Sequence, residues 1–436
     1  MASIPIIQTT LSTQTSTESD ESDFVEVITS ADLTSGKTYY VICSASTQGT
    51  STSLIFSWRL YDETNSEVLS NSTTIRESNQ SLGQPYYYVG EFTAGSGGGG
   101  LQFQQKGYAA GSPEGFKSAR TNFLSMIIFD IDDMDESDWF YENLVDQDIN
   151  NTVLQDRVTH TETGVVADDV WLVFGWMSTL VNDEDDPSTQ IVLNCADAET
   201  EPSQPSILFE GEDLDEELQW MMCRSYSGLA GSVTWKMQSR DDDTPSTGYS
   251  YHKESTLFAL KMNAFLDSYQ QFTTTATTAG KSNSTLPSAD DWITLETHEF
   301  TSATSAPVIV VGCSIFDCGG ATRKSGQRIT EEGTVVPSGT VLESYWYNNT
   351  NDFSDELPNT YISAYTPVAK IADTINYDVI TSTLSAATPH WQYNTLAIFS
   401  TTLESSVSDP LVFDAVATQA YTCLLYTSPS PRDRTR

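Results

Sequence analysis

Carboxylates are the groups with which this chain could most readily do chemistry, because Asp and Glu number 60 against 20 Lys and Arg. The densest run reads Asp130-Ile131-Asp132-Asp133-Met134-Asp135-Glu136-Ser137-Asp138. Ca2+ takes roughly six to eight oxygen ligands, so Asp130, Asp132, Asp133 and Asp135 are the candidate ligands of a calcium ion that would stiffen this stretch. The run is not an EF-hand: counting from Asp130, the sixth position is Asp135 rather than Gly, and the twelfth is Tyr141 rather than Glu. A solvated acidic linker is the plainer alternative, and it also suits the runs at 182–186, 210–217 and 241–243. No cofactor besides Ca2+ is expected.

Catalytic patterns are harder to find. So many acids bring carboxylate pairs together by accident, and an acid catalyst needs an apolar pocket that no spacing reveals. His160, His252, His298 and His390 lie far apart in sequence, without an HExxH or H-x-H pair. No Gly-x-Ser-x-Gly elbow occurs, and the glycine run from Gly95 to Gly100 lacks the Gly-Lys-Ser/Thr ending of a phosphate loop. No catalytic residue is assigned, and a non-enzymatic protein is expected. Cys43, Cys195, Cys223 and Cys313 sit in apolar, strand-like runs and read as buried free thiols, with a Cys313–Cys318 disulfide as the alternative.

Aromatic residues offer binding chemistry, since an exposed ring can stack on a sugar. Trp58, Trp220, Trp235, Trp346 and Trp391 are eligible, whereas Trp139, Trp171 and Trp292 read as core. The best candidate ligand-binding group is Trp346 with its neighbours Tyr345 and Tyr347.

The elements that would position these groups are strands. Thr, Val, Ile and aromatic residues abound, and sustained helical periodicity is missing. Repeats organise them. TYYVICSAS from Thr38, VWLVFGWMS from Val170 and PVIVVGCSI from Pro307 are continuous apolar runs, which read as strands covered on both faces. YYYVGEFTAG, LQWMMCRSYSG and YISAYTPVA form a second set; LQFQQKG, GSVTWKMQS and DTINYDVITS a third; FLSMIIFDI, STLFALKM and YNTLAIFST a fourth. Asp-aromatic openings at Phe24, Trp139 and Trp292 stand upstream. The fold class is therefore all-β, as tandem antiparallel β-sandwich modules of jelly-roll-like form, with an immunoglobulin-like topology as runner-up.

The expected boundaries are a flexible leader at 1–22, modules at 23–132, 139–270 and 288–402, and the start of a truncated fourth at 403–422. Modules of this kind are expected to fold independently, so that proteolysis near 132–138 and 270–290 releases stable fragments. Residues 423–436, CLLYTSPSPRDRTR, resemble translated sequencing adapter and read as a non-native tail from an environmental assembly.

A formal net charge of −40 repels nucleic acid and anionic membranes. Neither a signal peptide nor an apolar run long enough to span a bilayer is read from the sequence. Residues 24 to about 402 resemble the tandem jelly-roll modules of virion, tail or surface-appendage proteins. That resemblance implies a self-assembling structural subunit in a virion or on an extracellular surface, with copies of itself or other appendage subunits as partners. A carbohydrate-binding adhesin that meets surface glycans is the alternative.

Overall fold

In the computed structural model the described residues are 6–11, 15–18, 24–49, 54–76, 85–109, 118–132, 134–149, 153–181, 188–197, 206–210, 216–241, 250–265, 269–273, 281–282, 292–302, 308–317, 323–336, 342–346, 356–365, 370–383 and 390–400. Strands dominate them. The first module holds β1 (Ile6–Leu11), β2 (Thr15–Glu18), β3 (Val25–Thr29), β4 (Thr38–Gly49), β5 (Leu54–Asp62), β6 (Glu67–Arg76), β7 (Pro85–Thr93), β8 (Leu101–Ala109) and β9 (Ser118–Phe129). The second holds β10 (Trp139–Ile149), β11 (Gln155–Val165), β12 (Val170–Val181), β13 (Ser188–Cys195), β14 (Ser206–Glu210), β15 (Glu216–Ser227), β16 (Gly231–Asp241) and β17 (Ser250–Lys261). The third holds β18 (Tyr269–Thr273), β19 (Lys281–Ser282), β20 (Ile293–Ser302), β21 (Val308–Asp317), β22 (Arg323–Glu331), β23 (Thr334–Val335), β24 (Leu342–Trp346), β25 (Glu356–Tyr365), β26 (Lys370–Thr383) and β27 (His390–Ser400).

The pairing is antiparallel and repeats. Strands are lettered B to I in chain order, with β1 and β2 sharing B, β18 and β19 sharing B, and β23 and β24 sharing F. Each module then has one sheet in the order B-I-D-G and another in the order C-H-E-F. The inner-facing sheets are β1-β9-β4-β7, β10-β17-β12-β15 and β18-β27-β21-β25. Their partners are β3-β8-β5-β6, β11-β16-β13-β14 and β20-β26-β22 with β23 and β24. Two crossed four-strand sheets in this order make a jelly roll. The repeated sequence sets occupy like positions: D is β4, β12 and β21; G is β7, β15 and β25; H is β8, β16 and β26; I is β9, β17 and β27.

Two boundaries need correction. Within the expected leader, β1 pairs with β9 from Ile6↔Phe129 to Leu11↔Leu124, and β2 continues along the same strand. Short Thr-rich segments look like a flexible arm by composition, but β-branched residues suit a pleated strand, and β9 offers an open edge. Likewise β18, at the end of the stretch expected to close the second module, pairs with β27 of the third. Of the openings, Phe24 and Trp292 precede the C strands β3 and β20, whereas Trp139 begins the B strand β10. Residues 403–436, which include the expected fourth module and the adapter-like tail, lie outside the described residues.

A sandwich covers one face of each sheet, so a strand apolar on both faces needs a second cover. Alternate side chains of β12 meet this need: Trp171, Val173 and Met177 pack inside their own module, while Leu172, Phe174 and Trp176 pack with residues of the first and third modules. On β21, Val308 and Val310 turn inward, and Ile309, Val311 and Cys313 join the shared cluster. The F-position strand of each module also lies against the G strand of the next: β6 on β15, β14 on β25, and β24 on β7. The succession closes on itself, so the three modules form a ring around a pseudo-three-fold axis. A bridge at Glu217↔Thr73 fuses two of the sheets into one of eight strands. The inner sheets of the three modules share one core, so the expected independence of the modules is a matter for the unfolding and cleavage experiments argued below.

Candidate functional site

The modules meet at the axis through a buried polar network on the D and G strands. Thr360 on β25 is its centre. Its amide donates to the Tyr87 hydroxyl at 3.1 Å, and that hydroxyl donates to the Pro358 carbonyl at 3.1 Å. Its carbonyl accepts from Ser44 Oγ at 2.8 Å. Its own hydroxyl donates to the Met221 carbonyl at 2.8 Å and lies 3.3 Å from Cys313 Sγ. One threonine thus ties the third module to the first and the second. Trp176 Nε1 adds a bond to the Tyr87 carbonyl at 2.8 Å, and the Cys223 amide reaches Cys313 Sγ at 3.3 Å. Satisfied buried polar groups of this kind set register, since each lost partner leaves an unpaired group out of water.

Aromatic contacts surround the network. Tyr40 lies 5.1 Å from Trp139 and 5.7 Å from Phe258, Tyr88 lies 5.2 Å from Trp176, and Phe123 lies 5.3 Å from Tyr361, all between modules. Sequence reasoning missed Ser44, Tyr87 and Thr360 as joining residues. The legible signal was indirect: an apolar run covered on both faces demands a neighbour, and polar residues within it must be paired there.

The acidic junction is organised by lysines. Asp130 is buried, and its carboxylate accepts from Lys37 Nζ, which also lies 3.7 Å from the exposed Asp132. The Asp132 amide donates to Asp130 Oδ1 at 3.3 Å. Lys261 Nζ lies 3.1 Å from Asp169 and 3.7 Å from Asp138. Burial raises the Asp138 carboxyl above the ordinary range, against the pull of Lys261. Asp135 is exposed, and its carbonyl accepts from the Asp138 amide at 2.9 Å. Asp133 lies outside the described residues, among which no group of three or more His, Cys, Asp or Glu is placed to hold a metal ion.

Of the aromatic candidates, Tyr345 and Trp346 belong to β24, opposite Lys324 and Arg323, while Tyr347 lies outside the described residues. Trp58, Trp220, Trp235 and Trp391 are corrected to core residues, all buried inside sandwiches. Trp171 is buried as expected, and Trp139 and Trp292 are half-buried. Cys43, Cys195, Cys223 and Cys313 are buried free thiols, and Cys318 lies outside the described residues.

The outer C-H-E-F sheets carry a recurring cation. In the third module Arg328 sits 4.0 Å over the Trp292 ring, and its Nε donates to Asp378 at 3.2 Å. In the second, Lys236 pairs with Asp156 at 2.7 Å. In the first, Arg59 sits 3.9 Å over the Phe24 ring and 5.0 Å from the Tyr61 ring, and its Nε donates to Gln104 Oε1 at 2.7 Å. Burial lowers the Arg59 guanidinium from its usual value, while Tyr61 pulls the other way.

No family model and no curated protein matches this sequence. Among solved structures it is similar to a recombinant N-glycanase F (PNGase F), at 10% identity and a TM-score of 0.29, covering 60% of this chain and 95% of that one. It is similar to an archaeal virus protein described by its triple jelly roll fold and turret assembly, at 9% identity and a TM-score of 0.19, over 87% and 85% of the chains. A tandem of CBM22 domains from Paenibacillus barcinonensis Xyn10C matches at 10% identity and a TM-score of 0.21, over 62% and 96%. Likenesses this distant assign no activity or ligand, so function is argued from the chain's own geometry.

Proposed function

We propose that this chain is a non-enzymatic structural subunit of a virion, a tail or a surface appendage, which assembles with further copies or with other subunits. The closed ring of jelly rolls carries this reading. Head-to-tail contacts that close produce a finite block instead of a filament, and here the interfaces lie within one chain. Most of the buried machinery described above holds modules to one another, which is what a load-sharing building block requires. A net charge of −40 keeps such blocks apart at low ionic strength.

The test is sedimentation and negative-stain microscopy of the purified chain as salt is raised from about 0.05 M to about 1 M, where the screening length falls to about 3 Å. Regular multimers at high salt are expected; a monomer at every concentration overturns the assembly reading. A second reading, a glycan-binding surface protein, is favoured by one observation: a cation stacked on an aromatic ring recurs on the outer sheets of the first and third modules.

A further inference from the structure

The three outer sheets act as internal controls for one another. Arg59 on β5 faces Gln104 on β8, and Arg328 on β22 faces Asp378 on β26, the same E-to-H pair in two modules. Asp378 is buried and fixed by Thr294 Oγ1 at 2.6 Å and Thr330 Oγ1 at 3.2 Å, so the charge of Arg328 is met from within. In the second module Asp156 meets Lys236. In the first, a neutral amide stands where the third module has a carboxylate. Glu26, next in the row beyond Gln104, accepts from Thr29 Oγ1 at 2.5 Å instead. Among the described residues no carboxylate pairs with Arg59.

What remains is a guanidinium held in place and, among the described residues, without a carboxylate partner. Its Nε is anchored on Gln104, which is buried and in turn donates to Gln102 Oε1 at 2.6 Å. The Phe24 and Tyr61 rings lie 3.9 Å and 5.0 Å from Arg59 Cζ, and Lys106 Nζ lies 5.7 Å from the Phe24 ring. The two terminal nitrogens make no hydrogen bond among the described residues. A guanidinium fixed at Nε presents those nitrogens as a fork that fits a carboxylate or sulfate with two parallel bonds. The surroundings are ring faces and amides on a half-buried strand surface, which suit hydroxyls and a flat ring. Densely charged polyanions are disfavoured by the charge of −40.

We infer that the outer sheet of the first module, centred on Arg59 with Phe24, Tyr61, Gln102, Gln104 and Lys106, binds an acidic saccharide through its carboxylate or sulfate. The inference does not depend on the assembly reading, because the surface is the same in a monomer and in a multimer that leaves it open.

Isothermal titration of the full chain at about 0.15 M salt, where the screening length is about 8 Å, tests it. The probes are a hexuronic-acid oligosaccharide, a sulfated oligosaccharide, a neutral one of equal length, and inorganic sulfate. At least one acidic saccharide is expected to bind, with the neutral one weaker by about tenfold or more. Arg59→Met should lose that affinity by a similar factor. Gln104→Asp is the sharper variant, because it copies the Arg328–Asp378 pair and should abolish binding while the melting temperature holds or rises. The inference is overturned if neither acidic saccharide binds at about 10 mM, or if Gln104→Asp binds as the parent does. Inorganic sulfate binding as tightly as the saccharides would overturn the sugar assignment.

Discussion

His252 is neutral and buried on β17, with Nε2 2.8 Å from Ser255 Oγ. Burial, reinforced by the Arg157 charge, lowers its pKa from the ordinary 6.5 to about 3. The unfolded chain therefore binds a proton that the folded chain refuses, throughout that interval. Stability from this residue is complete above pH 6.5 and is lost progressively as pH falls toward 3. Asp138 and Glu254 act the other way, since burial raises both and their protonation favours the folded form just above the ordinary carboxylate range. His252→Gln keeps a polar group for Ser255 and removes only the first effect. Its unfolding midpoint, followed by circular dichroism from pH 7 to 4, should fall less steeply than that of the parent. Parallel curves would show that His252 does not set the acid limb.

At the scale of the element, glycines on two D strands let the H strand of the same sandwich come close. Gly175 and Gly312 take the place that Cys43 holds in the first module, each opposite the closing strand at Leu257, Leu396 and Met126 respectively. A Cβ on Gly312 would lie 2.5 Å from Cδ2 of Tyr377, whose hydroxyl is held by Gln327 at 2.5 Å and Ser314 at 3.0 Å. A Cβ on Gly175 would meet the end of Met237, which has a flexible thioether. Gly312→Ala should cost about 1–3 kcal/mol in denaturant unfolding, and Gly175→Ala clearly less; equal costs would remove the argument from side-chain rigidity. The D, G, H and I strands were legible in the sequence, because long apolar or alternating runs have one reading. Two of the B strands were not: Ile6–Leu11 and Tyr269–Thr273 are short and mix apolar with polar residues, and become strands by pairing with β9 and β27. The Arg59 site was equally hidden. Alternation along Trp58-Arg59-Leu60-Tyr61 places Arg59 outward, but Gln104, the neutral amide that stands opposite it, comes from another strand.

At the scale of the whole molecule, the apolar D and G strands turn one face toward their own sandwich and the other toward the neighbouring modules. A module cut from its neighbours would expose Leu172, Phe174 and Trp176, or their counterparts Ile309, Val311 and Cys313, to water. Each large apolar side chain so exposed forfeits about 1.5–3 kcal/mol, and Thr360 would lose its partners Ser44, Tyr87 and Met221 together. Net stabilities of domains are only about 5–15 kcal/mol, so a few such losses suffice to unfold a piece. Cleavage between β9 and β10 should therefore leave the parts associated, migrating as one species in size exclusion and melting in one transition. The second module expressed alone, as residues 134–265, should lack a cooperative transition. If it runs as a folded monomer with its own melting curve, the shared core is dispensable and the ring is an array of independent sandwiches.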